Sequence, residues 1–213
     1  VGNLKDITLR ALEVLQQVNV VLAEDTRKTG ILLAHYQIKA QMESFHAHNE
    51  HARIAKLIDR LKTGTTMALC TDAGTPAISD PGFLLVRACV DAGLHVDCLP
   101  GATAFVPALV MSGLPADKFV FEGFLPIKGK VGRLQKLADD PRTLVFYESP
   151  HRIGRTLATM AEILGPDRKL VLCREISKLH QETIRLSLAE AAAQIQDGSI
   201  RGELVLVVQG ATS

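Results

Sequence analysis

Two kinds of hydrophobic pattern alternate through the first half of the chain. Short apolar, β-rich runs occur at Val18–Ala23, Thr66–Cys70 and His95–Leu99. Between them, apolar residues recur at helical spacing over Ile7–Gln17, Arg53–Lys62, Pro81–Ala92 and Ala104–Ser112. Strand-length runs separated by helix-length patterns predict βα units and a parallel sheet. Asp80-Pro81 reads as an N-cap followed by proline at the first helical position, and Gly64, Gly93 and Gly113 fall where left-handed C-caps belong. The helix at Ile7 has no strand before it, so an unrecorded N-terminal strand ending at Val1 is expected.

A second series follows, with strands predicted at Phe119–Glu122, Thr143–Tyr147, Leu170–Cys173 and Leu204–Val208. Ser149-Pro150 opens a helix that runs to Leu164 and is stopped by Gly165-Pro166, and Ser187-Leu188-Ala189-Glu190 is a capping box for the last helix. Gly113-Leu114-Pro115-Ala116-Asp117 reads as a hinge. The expected fold class is α/β, with two α/β lobes, residues 1–114 and 115–213, and a ligand cleft between them.

Composition narrows the class. With 47% apolar and 22% charged residues over 213 positions, the chain has the profile of a soluble globular protein without low-complexity tracts. It has no run of eighteen apolar residues, so no membrane span is expected. Val1–Asp6 lacks the basic start and apolar core of a signal peptide. Cys70, Cys89, Cys98 and Cys173 form no CxxC pair and sit in apolar stretches, so they read as small hydrophobes in a reducing, cytosolic compartment. A net charge of +1 excludes a generic polyanion sponge but permits a local basic patch. Two Tyr and no Trp argue against a surface built to stack single-stranded bases.

In open α/β sheets, ligands bind outside the carboxyl ends of the strands. Polar loops fall there repeatedly: Glu24-Asp25-Thr26-Arg27-Lys28, Thr71 to Gly82, Pro100-Gly101-Ala102-Thr103, Glu148-Ser149-Pro150-His151-Arg152 and Arg174-Glu175-Ile176-Ser177-Lys178. In the 71–82 loop, Gly74 and Gly82 permit close approach or positive φ, and the two prolines stiffen the rest, which suits a small polar ligand held by main-chain groups. Neither this loop nor 100–103 matches GxGxxG or GxxxxGK[ST], which disfavours a dinucleotide fingerprint and a P-loop. His46, His48 and His51, with His35 upstream, raise a metal reading, but no cysteine or carboxylate pattern completes a site. A solvated loop or an RNA contact competes with it, and no metal is expected. Ser149 beside His151 lacks a GxSxG elbow and is better explained as an N-cap. Glu148 and Arg152 read equally as a salt-bridged structural pair or as substrate contacts. Lys128, Lys130, Arg133 and Lys136 are either a solvated face or phosphate contacts. Read from the residues alone, this is a small-ligand enzyme of unspecified reaction.

Six loop motifs go further: Gly2-Asn3-Leu4-Lys5-Asp6-Ile7-Thr8, Glu24-Asp25-Thr26-Arg27, His48-Asn49-Glu50, Thr71-Asp72-Ala73-Gly74-Thr75-Pro76 with Ser79-Asp80-Pro81-Gly82, Gly123-Phe124-Leu125-Pro126, and Tyr147-Glu148-Ser149-Pro150-His151-Arg152. In this order, over nearly the whole chain, they resemble the bacterial 16S ribosomal RNA (cytidine) 2′-O-methyltransferase I family, a branch of the tetrapyrrole methylase superfamily. Relatives elsewhere in that superfamily carry a GDP-type sequence where this chain has Gly74-Thr75-Pro76. The resemblance implies S-adenosylmethionine as cofactor, held by Gly74, Thr75, Pro76, Ile78, Pro100, Gly101, Ala102, Thr103, Ala104, Tyr147, Glu148, Gly202, Glu203 and Leu204. It implies 16S rRNA of the small ribosomal subunit as substrate, contacted by Arg27, Lys28, His48, Asn49, Lys128, Lys130, Arg133, Arg152 and Lys178, and it implies a homodimer. A ribose hydroxyl needs help to lose its proton, and Glu24, Asp25 and Glu148 are the candidate bases. The competing readings are another methyltransferase of the superfamily, acting on a corrin precursor or a protein, and a non-catalytic RNA-binding module. A nucleotide-dependent oxidoreductase is weakened by the absent glycine fingerprint.

Overall fold

The computed structural model describes residues 2–212. The strand expected to end at Val1 lies outside them. The chain forms two compact units, residues 3–103 and 104 onward, and each is described by itself.

The first unit is a three-stranded parallel sheet in the order β2-β1-β3, with β1 Val20–Ala23, β2 Gln41–Ser44 and β3 Met67–Cys70. Helices α1 Leu9–Gln17, α2 Thr26–His35, α3 Glu50–Lys62 and α4 Phe83–Asp91 surround it. All four residues of β1 are buried, because alternate side chains point to opposite faces and both faces are covered. Val21 packs with Leu15 and Leu33 on one face, and Val20 and Leu22 pack with Phe45, Leu57 and Leu85 on the other. The Thr8 hydroxyl starts α1 by accepting from the Ala11 N–H at 3.2 Å. Leu4–Asp6 before it is a 3₁₀ turn.

Three expectations are corrected in this unit. His95–Leu99 forms no strand, and His95 to Cys98 are exposed. An apolar run becomes a strand only where a neighbouring edge completes its backbone ladder, and among the described residues β3 pairs with β1 alone. Helix α4 starts at Phe83 with Gly82 at its N-cap, φ 128°, so Asp80-Pro81 stays in the preceding loop. Residues 26–28 are not loop but the first turn of α2.

The second unit contains α5 Phe105–Ser112, β4 Phe119–Phe124, α6 Lys130–Leu137, β5 Thr143–Glu148, α7 Ile153–Leu164, β6 Lys169–Arg174, β7 Glu182–Ser187, α8 Leu188–Gln194 and β8 Leu204–Val208. Its five-stranded sheet has the order β4-β5-β8-β6-β7. Only β4 and β5 are parallel, and the remaining pairs are antiparallel. Helix α5, which precedes the expected hinge, packs here: Ala108 and Leu109 cover Val145, Val171 and Val207. The opposite face, Leu144, Phe146, Leu172 and Leu206 among others, packs against Leu134, Leu157, Met160 and Leu188 of the other helices. Burying each such leucine is worth about 1.5–3 kcal/mol.

Strand β8 runs antiparallel between β5 and β6, so those two strands point the same way. Leu204 pairs with both Glu148 and Arg174, which brings the ends of β5 and β6 and the start of β8 to one edge. The capping box at α8 forms as expected, with bonds of 3.1 and 2.7 Å between Ser187 and Glu190. Ser149 is not the cap of α7, since Arg152 holds that position. Its hydroxyl instead accepts from the His151 N–H at 3.3 Å, inside a turn closed by Arg152 N–H to Ser149 C=O.

Candidate functional site

At the carboxyl edge of the first unit, β1 delivers Glu24 and Asp25, β3 delivers the 71–82 loop, and β2 leads into residues 45–49. Glu24 Oε2 accepts from the Asp72 N–H at 3.0 Å, and Lys28 Nζ meets Asp72 Oδ2 at 2.7 Å. Asp25 caps α2 by accepting from the Arg27 N–H at 2.9 Å and is gripped by the Arg27 guanidinium at 3.1 and 2.7 Å. Those side-chain bonds, then the backbone bond, pull its carboxyl down to about 2.

The 71–82 loop is built to hold one shape. Ala77 and Ser79 take positive φ of 70° and 63°, conformations that cost a non-glycine residue energy and persist where the surroundings enforce them. The Ala77 N–H donates to Pro81 C=O at 3.1 Å and the Ile78 N–H to Thr75 C=O at 3.2 Å. At Gly82 a Cβ would lie 2.7 Å from Leu69 Cδ2. Glu50, 7% exposed, reaches over from α3, and its Oε1 accepts from the N–H groups of Gly82 and Leu84 at 3.1 and 3.2 Å. A carboxylate there satisfies orphan donors of α4 and meets the positive end of its dipole. Gly74, with φ 81°, has open space where a Cβ would project, so a ligand can approach its backbone. Thr71 Oγ1 at the mouth of the loop and His46 Nδ1 after β2 are buried without a protein partner, the condition that a bound molecule or water relieves. Thr75, Pro76 and Ile78 lie on this loop. Pro100-Gly101-Ala102-Thr103 is irregular and follows the unpaired 95–99 segment rather than a strand.

The histidines divide. Asn49 Oδ1 accepts from the His46 N–H at 2.9 Å, and its amide donates to Ser44 C=O at 3.3 Å. Asn49 is therefore a turn former, with His48 exposed beside it. No group of three or more His, Cys, Asp or Glu placed to hold a metal occurs among the described residues.

At the shared edge of the second unit, Glu148 is buried and both its oxygens are engaged. Oε1 takes the Ser149 N–H at 2.6 Å and Arg152 at 2.7 Å, and Oε2 takes the Thr156 hydroxyl at 2.6 Å. Glu148 and Arg152 thus form a salt-bridged pair, with both carboxylate oxygens engaged. Arg152 Nη1 continues to Leu125 C=O at 3.3 Å. Lys178 joins Glu175 at 2.8 Å and Glu203 at 3.2 Å, and Glu175 Oε1 also accepts from the Glu203 N–H at 2.9 Å. Gly202 fits with φ 97° where a Cβ would lie 2.5 Å from the Glu175 carboxyl carbon. Leu204 is buried at the start of β8. The Tyr147 ring stands 5.1 Å from Phe121 and 5.5 Å from Phe124. Of the four expected surface cations, Lys130 folds back to the Arg155 carbonyl and the Thr156 hydroxyl at 3.4 Å, and burial lowers its pKa. Arg133 is held by Glu122 at 2.5 and 2.6 Å. Lys128 and Lys136 are exposed.

Sequence reading gave no role to Glu50, Asp72, Thr156, Glu175 or Phe124. Glu50, Asp72 and Phe124 lie inside quoted motifs, and Glu175 lies inside a quoted polar loop, so those stretches were the available signal. Thr156, which meets Glu148 eight residues away, carries no motif of its own.

The match to the tetrapyrrole (corrin/porphyrin) methylase model covers residues 1–192. The ribosomal RNA small subunit methyltransferase I of Synechocystis sp. is 47% identical over 214 residues, covering 100% of this chain and 77% of that protein. The Thermotoga maritima protein of the same name is 45% identical over 212 residues, covering 99% and 95%. Among solved structures, the methyltransferase CobJ superimposes with a TM-score of 0.73 at 19% identity, covering 99% of this chain and 90% of that one. Uroporphyrin-III C-methyl transferase from Thermus thermophilus, complexed with S-adenosyl homocysteine, gives a TM-score of 0.66 at 20% identity, covering 96% and 91%. At such identities the structures speak for the fold alone. The full-length matches carry the assignment: the chain belongs to the tetrapyrrole methylase family and, within it, to the ribosomal RNA small subunit methyltransferase I proteins.

Proposed function

We propose that this chain methylates the ribose 2′-hydroxyl of a cytidine in 16S rRNA of the small ribosomal subunit, using S-adenosylmethionine. The observation that carries the reading is identity of 45–48% with proteins of that name over 99–100% of this chain. The open backbone at Gly74 and the orphaned Thr71 hydroxyl on a rigid loop fit a small polar cofactor. Gly74, Thr75, Pro76, Ile78 and residues 100–103 of the first unit, with Ala104, Tyr147 and the 202–204 segment of the second, are the proposed contacts. The reading also implies work in the cytoplasm and a homodimer.

S-adenosylmethionine supplies, when bound, a methyl group already activated by its sulfonium. The chain's own work is to place the hydroxyl in line and take its proton as the new O–C bond forms and the S–C bond breaks. Placement can lower such a barrier by about 7–11 kcal/mol. Among the candidate bases Glu24 is favoured. Asp25 is committed to its cap with a pKa of about 2, and the Glu148 oxygens are both taken. Glu24 uses Oε2 to position Asp72, which leaves Oε1 outside that bond. Arg27 and Lys28, exposed in the first turn of α2, are placed to meet phosphates.

The test is to map ribose methyl groups on 16S rRNA from cells lacking the protein. The reading expects one missing 2′-O-methyl, restored by the wild-type chain and not by Glu24→Gln. That variant should lose about 10²–10⁴-fold in kcat with cofactor affinity retained. An unchanged methyl map would end the proposal.

A further inference from the structure

The Gly123-Phe124-Leu125-Pro126 motif has no part in the cofactor contacts, and its geometry is unusual. Glu122 is an extra residue in β4: Phe121 pairs with Val145 and Gly123 with Phe146, so Glu122 bulges out. Gly123 takes φ 61° there. Bulges re-aim the side chains that follow them, and here the next one is Phe124, which leans on Tyr147 yet is 53% exposed.

The loop beyond is anchored from beneath. Leu125 is buried, and its carbonyl is held by Arg152, which the buried Glu148 fixes. The Glu122 carboxylate, nearly buried, is clamped by Arg133 of α6. On this fixed base the tip displays Phe124, Ile127 at 83% exposure and Val131 at 50%. Lys128 is exposed among them, and no acidic residue occurs between Glu122 and Asp139. Exposed apolar groups on a preorganised loop mark a binding surface, and the exposed Lys128 among them is complementary to a polyanion. The scarcity of Tyr and Trp argues against an extended stacking surface, but a single unpaired base of RNA can be recognised by stacking on one such ring, with a cation meeting the adjacent phosphate.

We infer that the β4–α6 loop is an RNA-docking element, in which Phe124 stacks on an unpaired base and Lys128 contacts a neighbouring phosphate. Lys130, turned toward Arg155 and Thr156, and Arg133, exposed but paired with Glu122, hold the loop rather than touch RNA. The inference rests on the functional reading above and adds to it the element that grips the substrate.

The experiment measures methyl transfer from S-adenosylmethionine to small ribosomal subunits purified from a strain lacking this enzyme. The proteins compared are wild type, Phe124→Ala, Phe124→Tyr, Lys128→Ala and, as a control, Lys118→Ala. Phe124→Ala should raise KM for subunits about tenfold, within the range that stacking on one ring provides, with kcat and cofactor affinity preserved. Phe124→Tyr should restore the wild-type KM. Lys128→Ala, which removes only an exposed side chain, should raise KM and lower the slope of log affinity against log salt by about one. Lys118→Ala should match wild type. Wild-type protein that transfers no methyl sinks the functional reading and this inference with it. Wild-type transfer with unchanged KM in both Phe124→Ala and Lys128→Ala overturns the inference alone.

Discussion

Removing the Glu50 carboxylate should loosen the 71–82 loop from its helix. One oxygen of this buried side chain accepts two backbone N–H groups, Gly82 at 3.1 Å and Leu84 at 3.2 Å. In Glu50→Ala both donors lose their partner. An unsatisfied buried donor costs about 1–3 kcal/mol. The Gly82 N–H is buried and bears that cost, whereas the Leu84 N–H is half-buried and regains part of it from water. Loss of a helix cap, by comparison, costs about 0.5–2 kcal/mol. The sum for alanine is about 2–4 kcal/mol, which for a chain of this size lowers Tm by about 4–16 °C. Glu50→Gln keeps an acceptor in place and loses only the charge assistance, so it should cost about 1–2 kcal/mol. Urea titration followed by far-UV circular dichroism measures both variants, and calorimetry with S-adenosylmethionine reports the loop. Alanine costing less than about 0.5 kcal/mol, the range of a neutral surface change, would refute the reasoning. Glutamine as damaging as alanine would refute the part assigned to the retained acceptor.

The remaining predictions concern the other loops. Gly202→Ala places a Cβ 2.5 Å from the Glu175 carboxyl at φ 97°. It should displace the Glu175–Lys178–Glu203 cluster, cost about 1–3 kcal/mol in a thermal melt, and weaken cofactor binding by calorimetry. Asp25 has its carboxyl held down to about 2 by the Arg27 guanidinium beside it, below the usual aspartate range. Its stabilising contribution is therefore complete above the unfolded value and fades as pH falls from about 4 toward 2. NMR should place its carboxyl midpoint near 2, and Asp25→Asn should show a shallower acid-induced loss of stability across that window. A midpoint near the ordinary value would show that Arg27 does not hold it.

Elements with a long, uninterrupted apolar stripe were legible, and those with a short or charge-masked one were not. Strand β1 announced itself as Val20-Val21-Leu22-Ala23 because both its faces are covered. Strand β2, Gln41-Met42-Glu43-Ser44, is an edge strand with three of four residues exposed, and it carries no apolar run to read. Strand β7 offers only Ile184 and Leu186 to the core. Helix α6 was masked by its charges and by Gly132, although Leu134 and Leu137 are buried at helical spacing. His95–Leu99 erred the other way, as an apolar run without a partner edge. For the site, the loop motifs located the carboxyl edges, but which oxygens are already occupied is a three-dimensional property. Asp25 and Glu148 look like Glu24 in sequence, yet one is a cap held by Arg27 and the other is enclosed by Ser149, Arg152 and Thr156.

The position of β8 has a consequence for how the second unit comes into being. Its central strand is the last in order among the described residues, joining β5 to β6 through pairs such as Leu144 with Val208 and Leu170 with Val208. Until Leu204–Val208 emerges from synthesis, β4-β5 and β6-β7 are separate ribbons with no strand hydrogen-bonded between them. Assembly of this sheet must wait for a distant closure, which slows folding, and a nascent chain cut short of those five residues would present two raw edges prone to sticking to other chains.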